Sequence, residues 1–259
     1  MYRPRIIPTL LLRNKGLVKS VKFKDFRYIG DPMNAVRIFN GKDADELIFL
    51  DINASKEKRK LPLDLIEKIG DEAFMPFTVG GGIRSIEDIR TLLSVGTEKV
   101  AINTYAVESP EFIRKAADVF GSSTIVVSID VRKKLFGAYE VYIYGGVKST
   151  GLNPVDFAIE MEKMGAGEIM LNSIDCDGTM MGYDLDLIKK VSNAVSIPVI
   201  ACGGAGKLED MKAAVTDANA SAAAAGSYFV YHGKRRAVLI NFPTNDELNS
   251  LFKAYYKAA

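Results

Sequence analysis

The stretches GGIRSIED at 81–88 and GGAGKLED at 203–210 decide the fold of this chain, because the second repeats the first. Two further pairs occur in matching order at nearly the same offset, ELIFL at 46–50 with EIML at 168–171 and AINT at 101–104 with AAGS at 224–227. Blocks that recur in one order indicate two homologous halves rather than unrelated glycine-rich turns. We therefore expect one domain over 1–259, with half-barrels at about 1–120 and 121–259.

The composition is that of one globular domain and excludes several classes of protein. The 259 residues are 48% hydrophobic and 25% charged, enough to bury a large core. A formal net charge of +2 gives no electrostatic case for binding nucleic acid. No apolar run approaches the roughly 18 residues of a membrane span. Two cysteines are too few for a disulfide framework, so we expect a cytoplasmic protein that binds neither nucleic acid nor membranes.

Short apolar strands alternate with amphipathic helices along the chain, which is typical of a parallel sheet. The predicted strands are 5–10, 46–51, 76–80, 98–103, 123–130, 167–173, 197–202 and 222–226. The predicted helices are 32–40, 61–72, 85–94, 109–119, 154–164, 184–194, 207–216 and 245–256, with hairpins around 17–23 and at 139–144. Eight strand–helix units in two similar halves predict an α/β fold, a single (β/α)8 TIM barrel; a doubly wound open sheet is the alternative.

In such a barrel the reacting groups lie where the strands end, all at one face. Glycine-rich turns containing Gly82 and Gly204 follow two matching strands there and let backbone amides approach a phosphate. The hydroxyl groups of Thr104 and Ser227 supply further donors at equivalent places. Two phosphate sites related by the repeat predict a ligand that carries two phosphates.

One pair of equivalent positions breaks the repeat. The first strand ends at Leu11, whereas its counterpart in the second half ends at Asp130. If both positions face the same pocket, a paired acid–base device has lost one member. The chain then keeps a catalytic architecture without its original chemistry.

Several motifs resemble the cyclase subunit of imidazole glycerol phosphate synthase over nearly the whole chain. They are ELIFLDI at 46–52, TVGGGI at 78–83, GAGEI at 165–169, DCDGT at 175–179 and GGAG at 203–206. In that family the barrel receives ammonia from a glutaminase docked at its amino-terminal face. The resemblance implies that the ammonia crosses the barrel to a bisphosphorylated nucleotide, which becomes imidazole glycerol phosphate and an aminoimidazole carboxamide ribotide.

The resemblance implies roles for three groups of residues. The catalytic group is Asp130, Lys19 and Asp51, with Leu11 at the position of a second acid. The phosphate- and substrate-binding group is Gly82, Asn103, Thr104, Asn172, Asp177, Gly178, Gly204, Gly226 and Ser227. The ammonia gate is Arg5, Glu46, Lys99 and Glu168, a ring whose acids and bases have neutralisation within a packed layer as an alternative role. For Asp51, a structural salt bridge is an alternative to holding Lys19 or a substrate hydroxyl.

The chain departs from the family pattern where cyclisation takes place. The family uses an aspartate pair at the ends of the first and fifth strands, and Leu11 cannot transfer a proton. The usual residues are also replaced at Thr9, Asn172, Cys176 and Cys202. Residues 6–12 and 233–243 resemble instead a specialised branch that accompanies a second glutaminase and an N-acetyl sugar amidotransferase in bacterial surface-polysaccharide pathways.

Two functions from different classes follow from the resemblance. As a relay protein of O-antigen or other surface-polysaccharide synthesis, the chain binds a glutaminase of the class I amidotransferase type and passes ammonia to the sugar amidotransferase. As an enzyme of histidine biosynthesis, it is a lyase that binds a phosphorylated small molecule and closes the imidazole ring with Asp130, Lys19 and Asp51. A phosphoribosyl isomerase is a weaker third interpretation, because that chemistry also relies on an aspartate pair.

Three other features predict no chemistry of their own. His232, the single histidine, lacks the cysteine, histidine or carboxylate neighbours of a metal site, so we expect neither a metal nor a cofactor. Cys176 has no histidine base in its motif. Tyr139, Tyr142 and Tyr144 alternate along a strand and most simply cover one face of a hairpin.

Overall fold

The computed structural model describes residues 3–135 and 137–253. Its strands are β1 (Arg5–Arg13), β2 (Gly16–Val21), β3 (Lys24–Gly30), β4 (Leu47–Asp51), β5 (Phe77–Gly80), β6 (Lys99–Ile102), β7 (Ile125–Lys133), β8 (Tyr139–Ile143), β9 (Lys148–Ser149), β10 (Glu168–Ser173), β11 (Val199–Cys202), β12 (Ala222–Ala225), β13 (Tyr231–His232) and β14 (Ala237–Val238). Its α-helices are α1 (Pro32–Asn40), α2 (Leu63–Glu72), α3 (Ile86–Ser94), α4 (Thr104–Glu108), α5 (Glu111–Phe120), α6 (Pro154–Lys163), α7 (Leu185–Ser192), α8 (Leu208–Thr216), α9 (Ser227–Val230) and α10 (Asn245–Leu251).

Eight of the strands form a closed parallel barrel. Their order is β1, β4, β5, β6, β7, β10, β11 and β12, and β12 pairs back onto β1. Following the paired residues once around the barrel returns to β1 about eight residues further along, the stagger of a (β/α)8 barrel. The prediction of a single (β/α)8 barrel is confirmed, and the doubly wound open sheet is wrong.

Two apolar layers stabilise the barrel. Outside it, fully buried strand residues such as Leu10 pack in one cluster with fully buried helix residues such as Phe39 and Ile66. Inside it, a smaller cluster that includes Ile7 and Met170 fills the space between the strands. Because both faces of the strands are buried, they read in the sequence as continuous apolar runs.

Local side-chain signals set the helix boundaries. Ser85 caps α3 through a capping box, in which its hydroxyl accepts from Asp88 N–H and the Asp88 carboxylate accepts from Ser85 N–H. Asp31 and Asn153 cap α1 and α6, each followed by a proline in the first turn. The helix predictions agree within about two residues where they can be compared, while 254–256 lies outside the described residues. In 3–135 and 137–253, no helix is long and apolar enough to cross a membrane.

Two hairpins rise from the carboxyl end of the barrel. β1 continues to Arg13 and pairs antiparallel with β2, which pairs with β3, so the hairpin predicted around 17–23 extends to Gly30. β7 continues to Lys133 and pairs antiparallel with β8, so the segment 139–144 forms one side of a larger hairpin. The predicted strands 5–10 and 123–130 stop too early, because antiparallel partners prolong them beyond the barrel.

We expect Phe39→Ala to destabilise the protein by about 3–5 kcal/mol, because it removes a buried ring that packs edge-on against Phe229 and Phe242. Phe74→Ala is the matched control, since Phe74 is 87% exposed. Urea unfolding followed by circular dichroism measures both variants. If Phe39→Ala and Phe74→Ala lost the same free energy of unfolding, the assignment of Phe39 to the buried core would be contradicted.

Candidate active site

The carboxyl ends of the barrel strands surround one pocket. Its empty volume is about 1070 Å³, with the solvent at its opening included, which is large enough for a small-molecule ligand. The predicted site residues that line it are Leu11, Lys19, Asp51, Gly82, Asn103, Thr104, Asp130, Asn172, Asp177 and Gly226. Three others, Gly178, Gly204 and Ser227, also follow strand ends but lie outside this lining.

Leu11 and Asp130 lie on opposite sides of this pocket. They belong to β1 and β7, which are separated by half the circumference of the barrel, and both side chains line the cavity. Leu11 pairs with Leu50 on the neighbouring strand, and together with Ile52 these residues make one wall of the pocket apolar. The position opposite Asp130 therefore offers neither a proton donor nor a proton acceptor.

Asp130 is a buried acid with one weak hydrogen-bond partner. Its carboxylate accepts from Asn172 Nδ2 at 3.4 Å, and the residue is 8% exposed. Burial raises the pKa of Asp130 to about 7; the hydrogen bond from Asn172 opposes the rise, and the charge of Asp177 adds to it. A carboxyl group with this pKa exchanges its proton near neutral pH, as a general acid or base must.

Lys19 places an ammonium group inside the same pocket. β2 carries it inward, where Nζ donates to the carbonyl oxygen of Thr9 at 2.7 Å. Burial lowers the pKa of Lys19 to about 8, although the charge of Asp177 partly opposes this. A methyl group on Gly226 would lie 1.8 Å from Lys19 Nζ, so a glycine at this position leaves room for the ammonium.

The loop after β10 fastens the hairpin that carries Lys19. The Asp177 carboxylate accepts from Ser20 Oγ at 3.3 Å, and the Asp177 carbonyl accepts from Lys22 N–H at 2.9 Å. Burial raises the pKa of Asp177, and Lys19 opposes that rise. At Gly178, a methyl group would lie 2.0 Å from the Ser20 carbonyl oxygen, so the loop and the hairpin are in direct backbone contact.

Asp51 is engaged by a salt bridge. Its carboxylate accepts from Arg59 Nη1 at 2.7 Å and Nη2 at 2.9 Å, and from the backbone amides of Asn53 and Ala54. Of the alternatives that the sequence left open, the structural salt bridge is observed, and Lys19 donates elsewhere. These four hydrogen bonds hold the loop after β4 in place.

The first predicted phosphate site lies in a corner of the pocket that internal hydrogen bonds already shape. Gly82 N–H donates to Ser55 Oγ at 3.2 Å, and Thr104 Oγ1 accepts from Tyr144 N–H at 3.1 Å. Asn103 donates to a carbonyl oxygen of β7 at 3.0 Å. Phosphate binding in this corner stays a prediction.

The second predicted phosphate site lies beneath the loop after β10. A methyl group on Gly204 would lie 2.1 Å from the Gly182 carbonyl oxygen, and one on Gly206 would lie 2.1 Å from that of Met180. Ser227, the first residue of α9, is buried. The two sites are equivalent in sequence but differently covered, and a phosphate here also stays a prediction.

At the opposite end of the barrel, the four predicted gate residues form one ring of charge. Arg5 donates to Glu46 at 2.5 Å and to Glu168, while Lys99 Nζ lies 3.5 Å and 3.2 Å from the same two carboxylates. Thr78 Oγ1 donates to Glu46 at 2.9 Å. Burial lowers the pKa of Arg5, but Glu168 and Glu46 raise it by more. Alternating signs make the ring neutral across the amino end of the barrel interior.

The remaining polar features lie away from the pocket. Tyr139 and Tyr144 donate to carboxylates, and neither lines the cavity. His232 is exposed in β13. Cys176 follows β10, and burial raises the pKa of its thiol. Among the residues that the structure describes, no group of three histidine, cysteine, aspartate or glutamate side chains is placed to hold a metal ion.

The chain matches known proteins over most of its length. A family model described as "Histidine biosynthesis protein" matches residues 5–236. The chain belongs to this family. It is 47% identical over 253 residues to the "Putative imidazole glycerol phosphate synthase subunit HisF" of Leptospira interrogans, which covers 97% of this chain and 100% of that protein.

Two further relatives give the same result. The "Putative imidazole glycerol phosphate synthase subunit hisF2" of Pseudomonas aeruginosa is 47% identical over 249 residues, 96% of this chain and 99% of that protein. The "Imidazole glycerol phosphate synthase subunit HisF" of Alkaliphilus metalliredigens is 47% identical over 232 residues, 90% of this chain and 92% of that protein. The resemblance to the HisF-like cyclase family is confirmed.

Sequence reasoning missed three cationic residues of the site. Arg59 holds Asp51, and Lys56 and Arg84 line the pocket. A signal for Arg84 existed in the repeat, where GGIR at 81–84 matches GGAG at 203–206 and arginine therefore replaces a glycine. Lys56 carried no such signal, because only the folded loop directs its side chain toward the pocket.

We expect the stability difference between Asp130→Asn and the unmodified protein to depend on pH. The pKa of Asp130 is about 7 when folded and 3.8 ordinarily, so the folded state binds the proton more tightly and loses stability as pH rises from about 4 to 7. Asparagine does not ionise, so this variant should be more stable than the unmodified protein by about 1–4 kcal/mol at pH 8 and should differ less at pH 4.

Urea unfolding at both pH values measures this difference. Asp118→Asn is the control, because Asp118 is exposed on α5 and the same substitution there should give no change with pH. A stability difference for Asp130→Asn that is equal at pH 4 and pH 8 would contradict the raised pKa.

Proposed function

We propose that this barrel partners a glutaminase, takes up the ammonia that the glutaminase releases and relays it to an N-acetyl sugar amidotransferase of O-antigen or surface-polysaccharide synthesis. Leu11 is the observation that carries the proposal. It lies opposite Asp130 in the pocket, where cyclisation needs a second acid, and its hydrocarbon side chain transfers no proton. Loss of one positioned acid–base group lowers a rate by about 10²–10⁴.

The charged ring supports the ammonia-handling part of the proposal. Arg5, Glu46, Lys99 and Glu168 remain paired at the amino end although the acid at the other end is absent. Between the two ends, the barrel interior is lined by apolar side chains such as Ile48 and Ala224. Burying an ammonium ion among such side chains costs much more than burying neutral ammonia, so this interior favours the uncharged molecule.

The names of the relatives support the partner. The protein of Alkaliphilus metalliredigens is named as a subunit of a synthase, so it works with another chain. For this chain we propose a glutaminase of the class I amidotransferase type, docked where the ring of charge lies. The proposed location is the cytoplasm, and the proposed ligand of the pocket is a phosphorylated small molecule.

A specific observation favours a second candidate, a genuine cyclase of histidine biosynthesis. Asp130 and Lys19 line the same pocket, with pKa values brought to about 7 and about 8 by burial. Near pH 7.5 Asp130 is mostly ionised and acts as the base, while Lys19 is mostly protonated and acts as the acid. In this candidate function, they would close the ring without a first-strand aspartate.

We expect the unmodified protein, supplied with the bisphosphorylated nucleotide of the cyclase reaction and an ammonium salt, to turn over at the background rate. Leu11→Asp should raise that rate about tenfold or more, because it restores an acid opposite Asp130. Asn172, which lines the pocket in place of the usual family residue, limits the gain, since substrate placement matters as much as proton transfer. Chromatography of the imidazole product measures the rate.

Leu50→Asp is the matched control for this experiment. It introduces the same charge into the same apolar wall on the strand beside Leu11, away from the position opposite Asp130, and should give no gain. Robust turnover by the unmodified protein would overturn the relay proposal. Retention of sugar amidination after deletion of the gene would also overturn it.

We expect Lys99→Met to uncouple the relay, because it removes the cation that lies between Glu46 and Glu168. With both partner enzymes present, glutamine hydrolysis should continue while the yield of acetamidino sugar per glutamate formed falls about twofold or more. Lys115→Met, on the exposed face of α5, is the control. An unchanged yield in Lys99→Met would show that the ring serves packing alone.

A further inference from the structure

Three loops converge at one corner of the pocket and bring two cations together there. Ser55 and Lys56 belong to the loop after β4, Arg84 to the loop after β5, and Gly145 to the turn after β8, and all four line the cavity. Ser55 links two of the loops, because its hydroxyl accepts from Gly82 N–H and its carbonyl accepts from Arg84 Nη2 at 3.4 Å.

Lys56 is exposed at the pocket rim, where its side chain lies against the turn after β8. A methyl group on Gly145 would lie 3.2 Å from Lys56 Cε and 3.3 Å from Lys56 Nζ. Gly145 has a φ of +61°, and its lack of a side chain lets the lysine pack against the turn. The ammonium is thereby kept beside the corner that contains Gly82.

Arg84 reaches the same corner from the other side. Its side chain is half-buried, and its single weak hydrogen bond to Ser55 leaves most of the guanidinium donors free for a ligand. The nearby Glu108 carboxylate accepts from the Tyr144 hydroxyl rather than from Arg84. Arginine is suited to such a corner, because its planar group binds phosphate through two parallel hydrogen bonds.

Two other cations of the loop after β4 are paired, whereas Lys56 and Arg84 are not. Arg59 pairs with Asp51, and Lys60 pairs with Asp88 at 3.0 Å. Within the described residues, no carboxylate lies within 4 Å of the charged groups of Lys56 or Arg84. Two unpaired cations that line a pocket beside glycine amides form a subsite for an anion.

We infer that Lys56 and Arg84 hold the terminal phosphate of the pocket's ligand, and so direct the other end of that ligand toward Asp130 and Lys19. The inference deepens the proposed function and rests on its phosphorylated ligand. It assigns an orientation that Gly82 alone does not fix, because backbone amides can donate to a phosphate from several directions while two side-chain cations define a line. The ligand is a phosphate monoester or a nucleoside diphosphate.

The test is the affinity of the purified full chain for three probes, inorganic phosphate, ribose 5-phosphate and uridine diphosphate. Isothermal titration calorimetry at low and at physiological salt measures the dissociation constants. Lys56→Gln and Arg84→Gln should each weaken binding of at least one probe about 5–10-fold, and Arg84→Lys should recover part of the loss. Lys58→Gln is the matched control, because Lys58 is exposed in the same loop but does not line the pocket.

Each outcome of these titrations either supports or overturns the phosphate subsite. Loss of affinity in Lys56→Gln with none in Lys58→Gln supports the subsite, and the tighter-bound probe shows whether a monoester or a nucleotide diphosphate is its ligand. Absence of binding for all three probes, or equal losses in the two lysine variants, overturns it. If Arg84→Gln does not fold, the comparison of Lys56→Gln with Lys58→Gln alone decides whether the subsite exists. Failure of sugar amidination in the relay assay leaves this binding result standing, so the two proposals fail separately.

Discussion

The closed register of eight parallel strands is the constraint on which every other feature depends. Because β12 pairs with β1, all carboxyl ends meet at one rim and all amino ends at the other. Single strands thereby serve both ends: β1 carries Arg5 and Leu11, and β10 carries Glu168 and Asn172. Arg5 and Leu11 lie about 20 Å apart along the strand. A shift of the strand register by one residue would turn the side chains of Arg5 and Leu11 outward. The same register therefore fixes both the ring and the pocket.

Charge at the two ends is handled in opposite ways. In the ring, the buried carboxylates of Glu46 and Glu168 each lie within salt-bridge distance of both Arg5 and Lys99. In the pocket, Asp130 has a single amide partner, and burial, helped by the charge of Asp177, brings its pKa to about 7. The ring pairs opposite charges directly, whereas the pocket keeps an acid with no cation bonded to it, whose pKa lies near neutral pH.

The sequence predicted the barrel and the clustering of the site, because both follow from patterns within the chain. The repeat located the strand ends, and with them Asp130 and Gly82, while the family resemblance indicated Lys19. All three line the pocket. The sequence could not predict that Asp51 is bound by Arg59, since that pairing depends on how one loop folds back. Nor could it predict the cover over Gly204: backbone contacts between loops leave no signature in residue types.

Leu11 is compatible with the fold because it avoids the electrostatic cost of a second carboxylate. Two carboxylates facing one buried pocket would repel each other, and at least one would need a proton or a cationic ligand at neutral pH. Leucine joins Leu50 in an apolar wall instead, and Asp130 has no carboxylate at the position opposite it. The strand still carries Arg5 into the ring of charge at its other end, so the ring keeps its salt bridges with leucine at position 11. The ring of charge at the amino end and the pocket at the carboxyl end can therefore change independently of one another in this barrel.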